Sequence, residues 1–487
     1  MKKRGLLRKD VGMVILTPSG RVFASVNASK PFRPASNQKI LTVFAALERL
    51  GADYEYETTL WADRMPVDGE LTGDLCVTGS GDPNISGRFD VPGHGKGDPT
   101  AIFRQWASAL KSKGVQRVRG DLLVDDFSFD HEFFNPTWKT DQFQYWYSAQ
   151  VGALNLNDNC LDVRFQPGSL GGPGRLKIAP NTAYVGIDNK TKTDWNKKSV
   201  LIDLRRVEDS NQIVVRGGVS LRLKRWSTAF YVTIDDPGLF FGTVLKEVFQ
   251  EEGIVVDGRV LRDRARLSVP STRVELVRHL SPLERDLPVI LSNSQNMHAE
   301  ALLKALGAAS GEVGSVASGA REIFERLYEN GVPDEGLAVA DGSGYSRGNF
   351  VSPNTLAQLL HRIVEKDYFE VFRRSLAVAG QSGTLRKRFR GSKLSGELFA
   401  KTGTISGVSS LSGYIRVPRR GDAQGKGSRP VKIAGAEESS KPRRALLQGT
   451  DELLSDRYWT FVILVNSQRG NPRAFQADVA REILRGM

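Results

Sequence analysis

Between Ile40 and Leu50 the apolar side chains Ile40, Val43, Phe44, Leu47 and Leu50 recur at helical spacing, and Leu41, Ala45 and Ala46 fill most of the other faces. A helix that is apolar nearly all round is a buried one. Gly51 supplies a natural stop, and Pro34 keeps the helix from starting much earlier. Before it, apolar segments at 11–17 and 21–27 flank Pro18-Ser19-Gly20 and predict a hairpin leading into the helix. From about residue 56 to 276 the pattern changes to short strands and turns, at 73–77, 120–124, 159–165, 199–205 and 212–216, with one clear helix at 239–252. After Ser281-Pro282 helical periods return at 296–306, 315–329, 353–366 and 472–485, and strands are expected at 398–404, 408–417 and 458–466. The pattern predicts an α/β chain of the α+β kind, with a central antiparallel sheet flanked by helices. Residues 1–56 and 276–487 would form this unit, with 418–457 as a flexible loop insert rich in Gly, Ser, Lys and Arg. Residues 57–275 would be an inserted, mostly β region in two lobes.

Composition narrows the partners. The 487 residues are 40% hydrophobic and 25% charged, as in ordinary globular proteins. No apolar run approaches the ~18–20 residues of a membrane span. The net charge of +13 is scattered, densest at 386–393 and 416–444. Such clusters can hold nucleic acid or anionic polymers, but solvated faces are the commoner use, and no nucleic-acid partner is expected. Cys76 and Cys160 are the only cysteines, which excludes a disulfide scaffold and leaves one bridge open. His94, His131, His279, His298 and His361 show no metal-binding spacing, so neither metal nor cofactor is expected. Met1-Lys2-Lys3-Arg4 is like the start of an export signal, but no apolar stretch follows, so such a signal is expected to be absent or cut from this numbering.

The candidate chemistry starts where the buried helix does. Ser36 and Lys39 lie one turn apart on one face. Free backbone N–H groups and the helix dipole favour negative charge developing near Ser36. Lys39 can take the hydroxyl proton only when neutral. Lowering a lysine by about 3 units from ~10.4 costs roughly 4 kcal/mol, which desolvation and a second nearby cation usually supply. The plain alternative is a capping serine and a solvated lysine, and Ser108 and Lys111 repeat the spacing inside a helical pattern. Ser294-Gln295-Asn296 opens a later helix with a hydroxyl and an amide suited to proton relay and amide binding. Lys401-Thr402-Gly403-Thr404, on a strand, offers the second cation and hydroxyls for a carboxylate. Gly403, without a Cβ, would let an extended ligand lie against the backbone. Gly344-Tyr345-Ser346-Arg347-Gly348 fits the nucleophile elbow of α/β-hydrolases, but no acid lies between Ser346 and His361, the one histidine after it. It reads instead as a turn bracing the cleft.

Ser36-x-x-Lys39, Ser294-x-Asn296 and Lys401-Thr402-Gly403, in this order, resemble the signature of penicillin-recognising serine enzymes. The long stretch between the first two clusters points to the class C low-molecular-mass penicillin-binding proteins, the D-alanyl-D-alanine carboxypeptidase/endopeptidases. Gly81-Asp82-Pro83, Gly120 to Asp126, Asn157-Asp158-Asn159, Asp341 to Gly344, Gly383-Thr384-Leu385 and Ala400 to Tyr414 match that family too. The resemblance implies a serine β-lactamase/transpeptidase-like fold and an acyl-enzyme on Ser36. By it, Lys39 is the base, Ser294 passes the proton onward and Asn296 holds the acyl-side amide. Lys401, Thr402 and Thr404 hold the terminal carboxylate, with the N–H groups of Ser36 and Thr404 as oxyanion hole. Trp138, Asp141 and Trp146 are assigned to the third residue of the stem peptide. It further implies peptidoglycan stem peptides as substrate, β-lactams as inhibitors and a periplasmic or extracytoplasmic place, and leaves an oligomer open. A β-lactamase-type hydrolase would need an activating glutamate that does not stand out. A non-catalytic wall-binding protein would be expected to lack one of Ser36, Lys39 and Lys401.

Overall fold

The computed structural model describes residues 1–89, 97–195, 200–267, 273–417 and 458–486. The loop insert expected at 418–457 lies outside the described residues.

A six-stranded sheet carries the candidate residues. Its order is Ala377–Val378, Leu398–Ile405, Val408–Arg416, Tyr458–Asn466, Val11–Leu16 and Val22–Val26, and every neighbouring pair is antiparallel. The first two strands in sequence are the expected hairpin, with a register shift between Ile15 and Leu16. Tyr458–Asn466 is apolar almost throughout because both its faces are covered. Tyr458, Val462 and Leu464 pack into one core with Ile40, Val43, Phe44 and Leu360. Trp459, Phe461, Ile463 and Val465 enter a second with Phe475, Ala480 and Ile483 of helix Pro472–Gly486. The two-residue period of a strand thus divides one continuous apolar run between two helical layers.

Helix Gln38–Arg49 is buried along nearly its whole length, as its pattern requires. Around it lie helices Asn296–Ala308, Val316–Glu329 and Pro353–Val364. Helix Leu283–Leu291 also packs there, through Leu283, Leu287, Ile290 and Leu291. Its periodicity is masked in the sequence by Pro288, a residue that ordinarily argues against a helix interior. The mixed α/β class with a helix-flanked antiparallel sheet is the one the pattern predicts.

The chain leaves this sheet and returns to it along adjacent strands. Glu55–Ala62 pairs antiparallel with Val274–Pro282, from Glu55 opposite Pro282 to Ala62 opposite Val274. Both belong to a five-stranded sheet with Leu75–Gly79, Leu122–Asp125 and Val260–Leu261. Helices Ala101–Ser112 and Pro237–Glu251 pack there, with the Phe103 and Phe241 rings 4.7 Å apart. Three further three-stranded sheets complete the described part of this region. Ser108 and Lys111 sit on helix Ala101–Ser112, with Lys111 Nζ donating to Glu252 O at 2.9 Å, far from any nucleophilic role. Cys76 and Cys160 are both buried free thiols, which settles the open bridge against a disulfide.

Candidate active site

Ser36 lies in a 3-10 turn, Ala35–Asn37, that leads directly into helix Gln38–Arg49. Ala35 holds a left-handed backbone, φ 48°, which kinks the chain just before the serine. Gly344 approaches so closely that a Cβ on it would fall 1.9 Å from Ala35 O. The 341–344 turn is thereby seated against the start of the helix.

Lys39 is fully buried and its Nζ meets three groups. It lies 3.2 Å from Ser36 Oγ, 2.7 Å from Asn296 Oδ1 and 2.7 Å from Ser343 O. The last two atoms are acceptors only, so a neutral Lys39 must donate both of its N–H groups to them. Its lone pair then points at the Ser36 hydroxyl, the one partner able to donate. Burial brings Lys39 down to about 7, against the opposing pull of Asp341 and Glu300. Those carboxylates belong to the supporting wall. Glu300 accepts from the N–H groups of Gly342 at 2.9 Å and Ser343 at 2.8 Å, and Asp341 Oδ1 accepts from Gly344 N at 2.6 Å. Burial beside Asp341 raises Glu300 to about 7.

Lys401 is equally buried, donating to Ser294 Oγ at 2.6 Å and to Thr402 O at 2.9 Å. Burial, and then the nearby Lys39, push it well below the ordinary lysine range. The expected second cation is thus a lysine whose own charge is disfavoured, and burial is the larger cause of the shift at both lysines. Ser294 has a left-handed backbone, φ 69°, one residue before Gln295, whose side chain caps helix Asn296–Ala308. Asn296 Nδ2 donates to Tyr147 O at 2.7 Å, which fixes its oxygen toward Lys39. Thr402 Oγ1 donates to Thr384 Oγ1 at 2.8 Å.

Gly403 serves a different neighbour from the one expected. A Cβ there would fall 2.1 Å from Ser410 Oγ, 2.8 Å from Pro34 O and 2.9 Å from Ser36 N. The missing side chain makes room for the protein's own Ser36 turn rather than for an extended ligand. Ser410 Oγ donates to Pro34 O at 2.6 Å and ties turn and strand together.

These residues open on a cleft of about 790 Å³ lined by Ser36, Ser294, Asn296, Thr402 and Thr404. One wall is aromatic, from Trp138, Trp146, Tyr147 and Tyr345. Trp138 Nε1 donates to Asp341 Oδ2 at 2.8 Å. Trp146 lines the cleft, whereas Asp141 is exposed in the turn Thr140–Gln142 outside the lining. Ser346 is buried, accepting from Thr137 Oγ1 at 2.7 Å, and so is a brace and not an elbow nucleophile. Within the basic stretch 386–393, Arg386, Lys387, Arg390 and Lys393 are exposed, as a solvated face is, but Lys387 and the half-buried Arg388 also line the cleft. Their position after Gly383-Thr384-Leu385 was the available signal. Glu300 and Asp341 were missed as groups acting on Lys39, because nothing local to either marks it. Among the described residues no cluster of His, Cys, Asp and Glu is arranged to hold a metal.

A half-buried serine beside a fully buried lysine, a second buried lysine on the bordering strand and an antiparallel sheet between helical layers define a penicillin-recognising serine hydrolase. The profile of the D-Ala-D-Ala carboxypeptidase 3 (S13) family matches residues 2–425, and the chain belongs to that family. It is therefore a serine-type carboxypeptidase. A D-alanyl-D-alanine carboxypeptidase of an Actinomadura species is 32% identical over 417 residues, covering 83% of this chain and 75% of that protein. One from Haemophilus influenzae is 26% identical over 414 residues, covering 81% and 80%. The crystal structure of penicillin binding protein 4 from Haemophilus influenzae shares the fold, with a TM-score of 0.75 at 21% identity, over 97% of this chain and 96% of that one. That protein is also known in complex with a β-lactam, matching with a TM-score of 0.70.

Proposed function

We propose that the chain hydrolyses D-Ala-D-Ala ends and D,D-cross-links of peptidoglycan stem peptides through an acyl-enzyme on Ser36. Neutral Lys39 takes the Ser36 proton as Oγ attacks the peptide carbonyl. The N–H groups of Ser36 and Thr404 face the developing oxyanion. The C–N bond then breaks, and the proton reaches the leaving amine through Ser294, which Lys401 holds at 2.6 Å. Water, deprotonated by Lys39, attacks the ester, and that proton returns to the Ser36 oxygen as the acyl bond breaks. Thr402 and Thr404 hold the substrate carboxylate, whose arrival favours the charged form of Lys401 and, by like-charge repulsion, the neutral form of Lys39. Asn296 orients the acyl-side amide, and Trp146, with Asp141 at the rim, faces the third stem residue. β-Lactams would acylate the same serine.

The observation that carries this reading is the position of Lys39, whose two acceptor-only partners leave its lone pair aimed at Ser36. Residues 1–56 and 276–487 act as the catalytic unit, and 57–275 as the accessory region that supplies Trp138, Trp146 and Tyr147. The substrate places the site of action outside the cytoplasm. Among the described residues no helix is long and apolar enough to cross a membrane. Mass spectrometry after exposure to ampicillin tests the proposal. A drug adduct on the peptide carrying Ser36, absent in Ser36→Ala, is expected; no adduct, or one elsewhere, overturns it.

A further inference from the structure

The cleft has a second wall with a different chemistry. Lys387 and Arg388 follow Thr384 by one turn, and Thr384 is hydrogen-bonded to Thr402. Arg473, at the start of helix Pro472–Gly486, completes this wall. Arg388 Nη2 donates to Gln476 Oε1 at 3.0 Å, and Gln476 Nε2 donates to Ser409 Oγ at 3.2 Å. Ser409 is paired in register with Thr404. Arg388 is thus tied, through Gln476 and Ser409, to the strand end that holds the hydroxyls proposed for the substrate carboxylate, and Lys387 and Arg473 line the cleft beside it. Gln476 is fully buried, so the guanidinium of Arg388 is held in place rather than swinging in solvent.

The charge on this wall is unbalanced. Among the described residues no carboxylate lines the cleft and none of the three cations forms an ion pair. The nearest candidate on the same helix, Asp478, is engaged with Arg4 and Arg481. Burial and the neighbouring Arg473 lower Arg388 to about 10, so the folded protein holds that charge at a cost. An arrangement of this kind becomes favourable when an anion enters it. One carboxylate beside Thr402 and Thr404 would not use three cations.

We infer that Lys387, Arg388 and Arg473 form an anion subsite for the leaving half of the substrate, selecting cross-linked stems whose acceptor strand carries further carboxylates over a single terminal D-Ala. This rests on the proposed function, because it is the acyl-enzyme chemistry at Ser36 that makes the Thr384–Thr402 side the leaving side. The aromatic wall, which reaches Asn296 through Tyr147 O, then receives the acyl half. The cleavage is an ordinary hydrolysis and needs no co-reactant beyond water.

The test compares purified full-length enzyme, Arg473→Gln and the double variant Lys387→Gln/Arg473→Gln on three probes: a cross-linked muropeptide dimer, a pentapeptide monomer ending in D-Ala-D-Ala, and benzylpenicillin. Lys387 and Arg473 are exposed, so these variants avoid the structural risk of replacing Arg388. A fall of tenfold or more in kcat/KM on the dimer is expected. D-Ala release from the monomer and the rate of penicillin acylation should stay within threefold. Raising the salt concentration should slow dimer cleavage by the wild type and not by the double variant. Equal losses on all three probes would assign the cations to the one carboxylate beside the cleaved bond and overturn the inference. No loss on any, or a wild type that leaves the dimer intact, overturns it as well. An enzyme unlabelled at Ser36 defeats the underlying function first.

Discussion

Lys39 Nζ and Asn296 Oδ1 lie 2.7 Å apart although 257 residues separate them in the chain. The contact joins helix Gln38–Arg49 to helix Asn296–Ala308, the second helix after the inserted region. It also fixes what Lys39 can do, because an amide oxygen accepts and never donates. Asn296 and Ser343 O together leave the lysine lone pair one direction, toward Ser36.

The pH dependence follows from burial. With Lys39 at about 7, the fraction of neutral base rises as pH rises through that value. The second-order rate of β-lactam acylation is expected to climb about tenfold per pH unit below 7 and to level off above it. Lys39→Arg, which cannot deprotonate, should lower that rate by about a thousandfold or more. Stopped-flow acylation across pH 5–9 checks both.

Glu300 should tune that profile without touching substrate. Its carboxylate favours the charged form of Lys39. In Glu300→Gln the amide oxygen can still accept from Gly342 or Ser343, but the electrostatic pull is gone. The midpoint of the acylation profile is expected to move to lower pH, with the plateau reduced by less than about tenfold. A purely structural role would lower the plateau and leave the midpoint in place.

Gly403→Ala places a Cβ into Ser410, Pro34 O and Ser36 N at distances too short to keep. The strand and the Ser36 turn must separate, at a cost of about 1–3 kcal/mol in stability. Acylation should fall by about a hundredfold or more, because the serine moves with the turn. Urea melts and acylation rates on the same variant separate the two effects.

Behind the site, His298 is fully buried with Nδ1 2.6 Å from Asp286 Oδ1 and Nε2 3.4 Å from Asp158 Oδ1. Burial alone lowers it, but Asp286 and Asp158 outweigh that and hold it up to about 9, above an unfolded value near 6.5. The native state therefore binds the extra proton between those values. The stabilisation is complete below about pH 6.5 and is lost as pH rises through about 9, on the order of 3 kcal/mol in all. Stability measured from pH 6 to 10 should fall across this window in the wild type, and the fall should be largely absent in His298→Gln.

Periodicity alone was enough for the fold class. The buried helix at 40–50, the opening hairpin and the strands at 398–404, 408–417 and 458–466 are all legible, because elements covered on one or both faces write their period into the chain. Helix Leu283–Leu291 was not, since Pro288 breaks the local signal that tertiary packing overrides. The clusters around Ser36 and Ser294 were marked by residue types out of place at the start of buried helices, that of Lys401 by a lysine inside a strand, and the structure brings the three to one cleft. Local pattern could not supply the surroundings of those residues. That Gly403 makes room for the Ser36 turn, that Glu300 and Asp341 act on Lys39, and that Lys387 and Arg388 face the cleft are facts of through-space distance. Residue spacing encodes which face of an element is buried; burial depth, charge pairing and the neighbours of a lysine depend on which distant elements meet, and only the folded chain decides that.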